Sequence, residues 1–126
     1  MARIIIGTVA SGLGEGAFFM SMQHYKYEIR KKLGFEAYSG TLNLKVSEEL
    51  IKSIKNLKSI RIDGYKSGKK TFGGASCYKS KINGINGAVI MPDLAKHKDI
   101  IEFIAPVHMR TKLNLRDGDK IKVEML

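Results

Sequence analysis

Three stretches of the sequence carry residue types that do chemistry. The first is residues 11–21, SGLGEGAFFMS, where Gly12, Gly14 and Gly16 alternate with Leu13 and Glu15 before an apolar run that begins at Ala17. Glycine inside ordered chain costs roughly 0.5–1 kcal/mol relative to alanine. Three in five residues therefore need a reason: a tight turn, or a backbone that approaches a ligand closely. Successive backbone N–H groups in such a loop can cradle phosphate oxygens as a nest. No Lys-Ser/Thr pair follows, so this is not a Walker A loop, and AFFM does not open a dinucleotide-binding helix. By pattern alone, a bulged turn between strands is the simpler reading. Glu15, an acid beside bound phosphate, would then serve a base, a sugar hydroxyl or a metal.

The second stretch is residues 38–44, YSGTLNL. In an extended strand Leu42, Leu44 and Val46 face one way, and Thr41 and Asn43 the other, roughly 6.6–7 Å apart along the strand. Two neutral oxygen donors on one face suit a hard cation such as Mg²⁺, which takes one or two protein ligands and completes its shell with water and phosphate. A solvent-facing Thr and Asn is the ordinary alternative, and spacing alone favours it. The third stretch is residues 100–112, IIEFIAPVHMRTK. Glu102 is a lone carboxylate in an apolar strand, either an outward-facing edge residue or a base for a substrate hydroxyl. Arg110, beyond the break at Pro106, has the reach and the planar fork for a phosphate or a base edge. His24, His97 and His108 share no metal-ligand spacing. Cys77 stands alone and reads as structural. Tyr25, Tyr27, Tyr38, Phe18 and Phe19 read as packing residues.

Short elements must position these groups. Residues 3–10 are a β-branched strand, and AFFMS (17–21) makes a second short one. Residues 22–33 read as a helix with Met22, Tyr25, Ile29 and Leu33 on one stripe, closed by Gly34. Lys31 and Lys32 sit in its last turn, where the helix dipole favours cations. Residues 41–46 alternate as a strand, and Ser47 caps a short helix to about Leu57 with Glu48 and Glu49 in its first turn. Strands follow near 58–63, 71–80 and 87–91, with Asn83-Gly84 and Asn86-Gly87 as turn chemistry between the last two. A strand over 99–105, a short turn or helix from Pro106 to Leu113, the DGD turn (117–119) and a final strand complete the chain. Many short strands with two modest helices predict a mainly β domain, a small closed or nearly closed barrel, with α+β as the alternative.

The 126 residues suit one domain with a core of its own. One cysteine excludes an intrachain disulfide and fits an intracellular, cytoplasmic setting. No apolar run is long enough to span a bilayer as a helix. The net charge of +10, from 22 Lys+Arg against 12 Asp+Glu, points to an anionic partner or to a lysine-rich chain kept soluble. The lysines form no run of five, which argues against a basic tail.

Taken together, SGLGEGAFFMS, LGFEAYSGTLNLKV, IIEFIAPVHMR and NLRDGDKIKV resemble the archaeal CTP-dependent riboflavin kinase family over roughly residues 4–124. The glycine motif followed some two dozen residues later by GTLN is the specific part. The resemblance implies a six-stranded cradle-loop (RIFT-related) β-barrel with short helices. It implies transfer of the CTP γ-phosphoryl group to the ribityl 5′-hydroxyl of riboflavin, giving FMN and CDP. It assigns Gly12, Leu13, Gly14, Glu15, Gly16 and Ala17 to a nucleotide-binding loop, and Val107, His108, Met109 and Arg110 to further nucleotide contacts. Thr41 and Asn43 would ligate one Mg²⁺, and Glu102 would contact the flavin near its ribityl hydroxyl or phosphate and serve the catalytic step.

One departure stands out. The family often carries a threonine between the positions of Pro92 and Glu102. Here Leu94 aligns with it, with Lys96 and His97 nearby. The expectation is a single catalytic domain over residues 1–126, without the helix-turn-helix extension of some relatives. It is expected to act as a monomer with no nucleic-acid or membrane partner. Two other classes stay open: a β-barrel DNA-binding protein, which salt-steep duplex binding would reveal, and a flavin- or nucleotide-binding module without turnover, which would bind FMN and form none.

Overall fold

A computed structural model describes residues 3–11, 23–93 and 98–126. The glycine motif at 12–17, the strand expected at 17–21, Phe18, Phe19, Met22, and Leu94 to His97 lie outside the described residues. The elements are β1 (Arg3–Ala10), α1 (Gln23–Leu33), β2 (Leu42–Lys45), α2 (Glu48–Lys55), β3 (Ile60–Ile62), β4 (Tyr65–Ser67), β5 (Lys70–Phe72), β6 (Ala75–Ile82), β7 (Ile85–Pro92), β8 (Ile100–Ile104), α3 (Met109–Leu113) and β9 (Lys120–Met125). Six strands close on themselves in the order β6-β7-β8-β2-β1-β9, with β9 returning to β6, and every pairing is antiparallel. The chain is thus the mainly β barrel anticipated, with three short helices rather than two. Closure removes the free edges that an open sheet would expose. β3 adds to the first half of β6, and β4 and β5 form a separate hairpin.

Strand alternation builds two cores. Ile5, Val9, Leu42, Leu44, Phe103 and Val123 point into the barrel. The opposite faces of β6, β7 and β8, through Cys77, Ala88, Ile90 and Ile104, receive Tyr25 and Ile29 of α1. The helix forms for local reasons already visible in its sequence. Arg30, Lys31 and Lys32 occupy its last turn, and Gly34 follows at φ +83°, donating its N–H to Arg30 O at 3.1 Å. Ser47 caps α2 by accepting from the Leu50 N–H at 3.2 Å. No described helix is long and apolar enough to cross a membrane.

Two turn expectations part company. Asn83 and Gly84 both take positive φ and form the two-residue hairpin loop between β6 and β7, as right-handed strand twist favours. Asn86 and Gly87 instead lie inside β7. Gly87 is there for space: a Cβ would stand 2.2 Å from Ile104 O and 2.6 Å from the Phe103 ring tip. The single strand expected over 71–80 is broken at Gly73-Gly74 into β5 and β6. A Cβ on Gly74 would stand 2.5 Å from Ile62 O, so close backbone approach explains this glycine as well.

Candidate functional site

Leu42 and Leu44 fill the barrel, so Thr41 and Asn43 face outward, on the side of the sheet that α1 covers. In the antiparallel register Asn43 stands opposite Glu102 on β8 and opposite Ala10 on β1. Glu102 in turn stands opposite Ile90 on β7. Neither expectation of a solvent-facing pair nor of an edge-strand carboxylate holds. Glu102 lies between two strands at 6 % exposure, and Asn43 is 8 % exposed. Thr41 Oγ1 donates to Glu102 Oε1 at 2.8 Å. Among the described residues Asn43 Oδ1 is buried with no hydrogen-bond partner. A buried acceptor without a donor costs roughly 1–3 kcal/mol, so this oxygen calls for a partner other than the described side chains, and a cation is one that suits it. The donor set fits a hard divalent cation. The Thr41 hydroxyl spends its proton on Glu102 and keeps its lone pairs, Asn43 offers a free oxygen, and a carboxylate lies alongside.

The neighbouring elements bring a cation to the same place. β1 ends at Ala10, and the glycine-bearing segment starts two residues on. Arg110, on α3, donates through Nη2 to Ala10 O at 3.0 Å and to Asp117 Oδ1. Ser11 Oγ donates to the other oxygen of Asp117. The hydrogen bond from Ser11 and then that from Arg110 hold the Asp117 carboxyl below the usual carboxylate range. Residues 107–110 divide by role. Met109 is buried in the barrel core, leaving only its main chain for a ligand, and the half-buried Val107 packs against that core. His108 is exposed, with Nδ1 hydrogen-bonded to Thr111 Oγ1 at 2.7 Å and its ring 5.1 Å from that of Tyr38. Tyr38 itself is pinned by its N–H to Ala105 O at 2.8 Å.

A groove of about 450 Å³ opens at the α1 flank next to Tyr38, lined among others by Lys26, Tyr27, Arg30, Ser39 and Pro106. Its volume lies within the range of small-molecule pockets. Tyr27 and Tyr38, read as packing from sequence, are 54 % and 45 % exposed, and they bring rings to a groove that also carries two cations. The signal missed was the one-turn spacing of Lys26, Tyr27 and Arg30, which places them on the α1 flank away from Tyr25 and Ile29. Cys77 is buried, and loss of solvent pushes its thiol up to about 12, as suits a structural residue. Among the described residues no group of three or more His, Cys, Asp or Glu could hold a metal.

The fold and site define a small closed β-barrel with a buried oxygen-rich centre at the root of a glycine-bearing segment. The family model for the CTP-dependent riboflavin kinase domain, described as "Domain of unknown function DUF120", matches residues 9–125, and the chain belongs to that family. It is 47 % identical over 126 residues to the riboflavin kinase of Pyrobaculum aerophilum, an alignment covering 97 % of this chain and 60 % of that protein. It is 43 % identical over 119 residues to the riboflavin kinase of Methanosarcina acetivorans, covering 91 % of this chain and 50 % of that protein. For the riboflavin kinase of Archaeoglobus fulgidus the identity is 40 % over 126 residues, covering 97 % and 54 %. The chain thus spans between half and three-fifths of the length of these relatives.

Proposed function

We propose that this domain is a CTP-dependent riboflavin kinase that transfers the γ-phosphoryl group of CTP to the ribityl 5′-hydroxyl of riboflavin, releasing CDP and FMN. Family membership supplies the substrates. The observation that carries the reading to this chain is the buried, unpartnered Asn43 Oδ1 beside the Thr41–Glu102 hydrogen bond. A purely structural strand pair has no use for it.

Phosphoryl transfer asks a protein mainly for positioning and charge stabilisation. Thr41 and Asn43 would hold a divalent ion, which we take to be Mg²⁺, through their side-chain oxygens. The chemistry such an ion supplies when bound is neutralisation of charge on the phosphate oxygens. Glu102 orients the riboflavin 5′-hydroxyl and takes its proton as the new O–P bond forms and the bond from the γ-phosphorus to its bridging oxygen breaks. The Thr41 hydroxyl donates to that carboxylate and fixes its rotamer. Residues 12–17 and the main chain of 107–110 contact the nucleotide, and Arg110 meets an anionic group of it. The groove beside Tyr38, with Lys26 and Arg30 on its rim, has the volume and the rings to seat part of an aromatic, phosphate-bearing substrate.

Riboflavin and Mg²⁺ are incubated with the purified protein and either CTP or ATP, and FMN is followed by chromatography. FMN with CTP and none with ATP is the expected result. FMN binding without FMN formation, with every nucleotide and divalent metal tried, would replace the kinase by a flavin-binding module.

A further inference from the structure

Asp117 carries no role in the reading above, yet it is the point at which three segments of the site meet. Its main chain is fixed. Gly118 donates its N–H to Val9 O and Val9 donates its own to Asp119 O, both at 2.8 Å, so the 116–119 turn is fastened to the end of β1. Within the turn the Arg116 N–H reaches Asp119 Oδ2 at 2.8 Å. The α3 side is equally defined: Asn114 takes a left-handed conformation and Leu115 donates to Arg110 O at 2.9 Å. From this base one Asp117 oxygen accepts from Arg110 and the other from Ser11, the last described residue before the glycine-bearing segment.

The arrangement is poorly suited to stabilising the fold. The Asp117 side chain is 53 % exposed and that of Arg110 32 %, and exposed ion pairs contribute little to stability. It is well suited to fixing direction. Arginine has five N–H donors in a rigid plane. Both bonds here run through Nη2, to Ala10 O and Asp117, which leaves the two donors on Nη1 and the one on Nε without partners among the described residues. We propose that Asp117 is a positioning residue for the nucleotide: it holds the Arg110 guanidinium against the end of β1, so that the remaining donors form a pre-set fork for an anionic group of CTP, and it tethers Ser11 where the glycine segment departs. This rests on the kinase reading and adds to it a residue that touches no substrate.

The test is a double-mutant cycle of Asp117→Ala and Arg110→Gln. FMN formation is measured with each substrate varied, and CTP binding by calorimetry in the presence of Mg²⁺. Asp117→Ala is expected to raise the KM and the dissociation constant for CTP about tenfold, with kcat and the riboflavin KM within about twofold and the unfolding temperature unchanged. In the Arg110→Gln background the same change is expected to cost only about twofold, the share that passes through Ser11. Asp117→Asn, which keeps an acceptor for Arg110, is expected to fall between. Unchanged CTP binding in Asp117→Ala would overturn the proposal. So would an equal penalty in both backgrounds, or a parallel loss for both substrates together with a lower unfolding temperature. Wild-type protein that binds CTP but forms no FMN would refute the kinase reading while the calorimetric cycle still decides the role of Asp117. Wild-type protein that binds no CTP would overturn both.

Discussion

Asn43 should be destabilising until it is used. Its Oδ1 is buried between Ala10 and Glu102 on the neighbouring strands, with no hydrogen-bond partner among the described residues. Replacing Asn43 by the near-isosteric leucine removes an acceptor whose burial costs roughly 1–3 kcal/mol. Part of that gain is offset, because the leucine sets an apolar group beside the Glu102 carboxylate. The net expectation is a more stable free protein, by about 1 kcal/mol, or about 4 °C in unfolding temperature for a domain of this size. The ligand response should move the other way. Mg²⁺ with CTP at about 100 times the dissociation constant adds about 2.7 kcal/mol to the wild type by mass action, and that increment should vanish in Asn43→Leu along with FMN formation. Thermal unfolding by circular dichroism, with and without Mg²⁺ and CTP, reads both effects in one experiment. A variant that unfolds at a lower temperature than wild type, or keeps its ligand-induced shift, would refute the assignment of Oδ1 as a ligand awaiting its cation.

Glu102→Gln should lower kcat by about 10²- to 10⁴-fold, the usual worth of a positioned acid–base group. Its unfolding temperature should stay close to wild type, because the amide oxygen can still accept from Thr41 Oγ1; unchanged turnover would remove Glu102 from the chemistry. Gly87→Ala should destabilise the barrel by about 3 kcal/mol in urea unfolding, since its Cβ would press on Ile104 O, a backbone atom that cannot swing aside. Cys77, buried with its thiol pushed up to about 12, should resist thiol reagents at pH 8 in the native state and react once unfolded. The sign of its pH linkage follows from the same shift. The unfolded thiol ionises near 9.0 and the folded one does not, so stability falls as pH rises from about 9 toward 12. A flat stability profile between about pH 9 and pH 10 would argue against the burial.

Elements governed by local chemistry were readable in the sequence. The α1 stripe of Tyr25 and Ile29, the Ser47 cap and the Asn83-Gly84 loop each follow from a few adjacent residues, and each is present. What escaped was set by tertiary proximity. Gly87 sits in a strand because of Phe103 and Ile104, which lie on a different strand and are invisible from the local Asn-Gly pair. Gly74 answers to Ile62 O in the same way and splits one expected strand into two. In the site, Thr41, Asn43 and Glu102 were picked out one by one from residue type and alternation. Their burial and the hydrogen bond that joins them depend on the β2–β8 register, which no spacing within either strand encodes. Arg110 and Asp117 are seven residues apart on either side of a left-handed Asn114, so no helical periodicity links them. Glu28, which no sequence feature singled out, is likewise buried by tertiary packing and paired with Lys32 at 3.0 Å.

On the proposed function, a γ-phosphoryl group passes from CTP to riboflavin on this domain. The most direct measurement supplies CTP labelled at the γ-phosphate, riboflavin and Mg²⁺ to the purified protein, and follows where the label goes. Label is expected in FMN in the same molar amount as the CDP formed, with none transferred by Asn43→Leu. Label that stays in CTP, or leaves it only as inorganic phosphate, would contradict it.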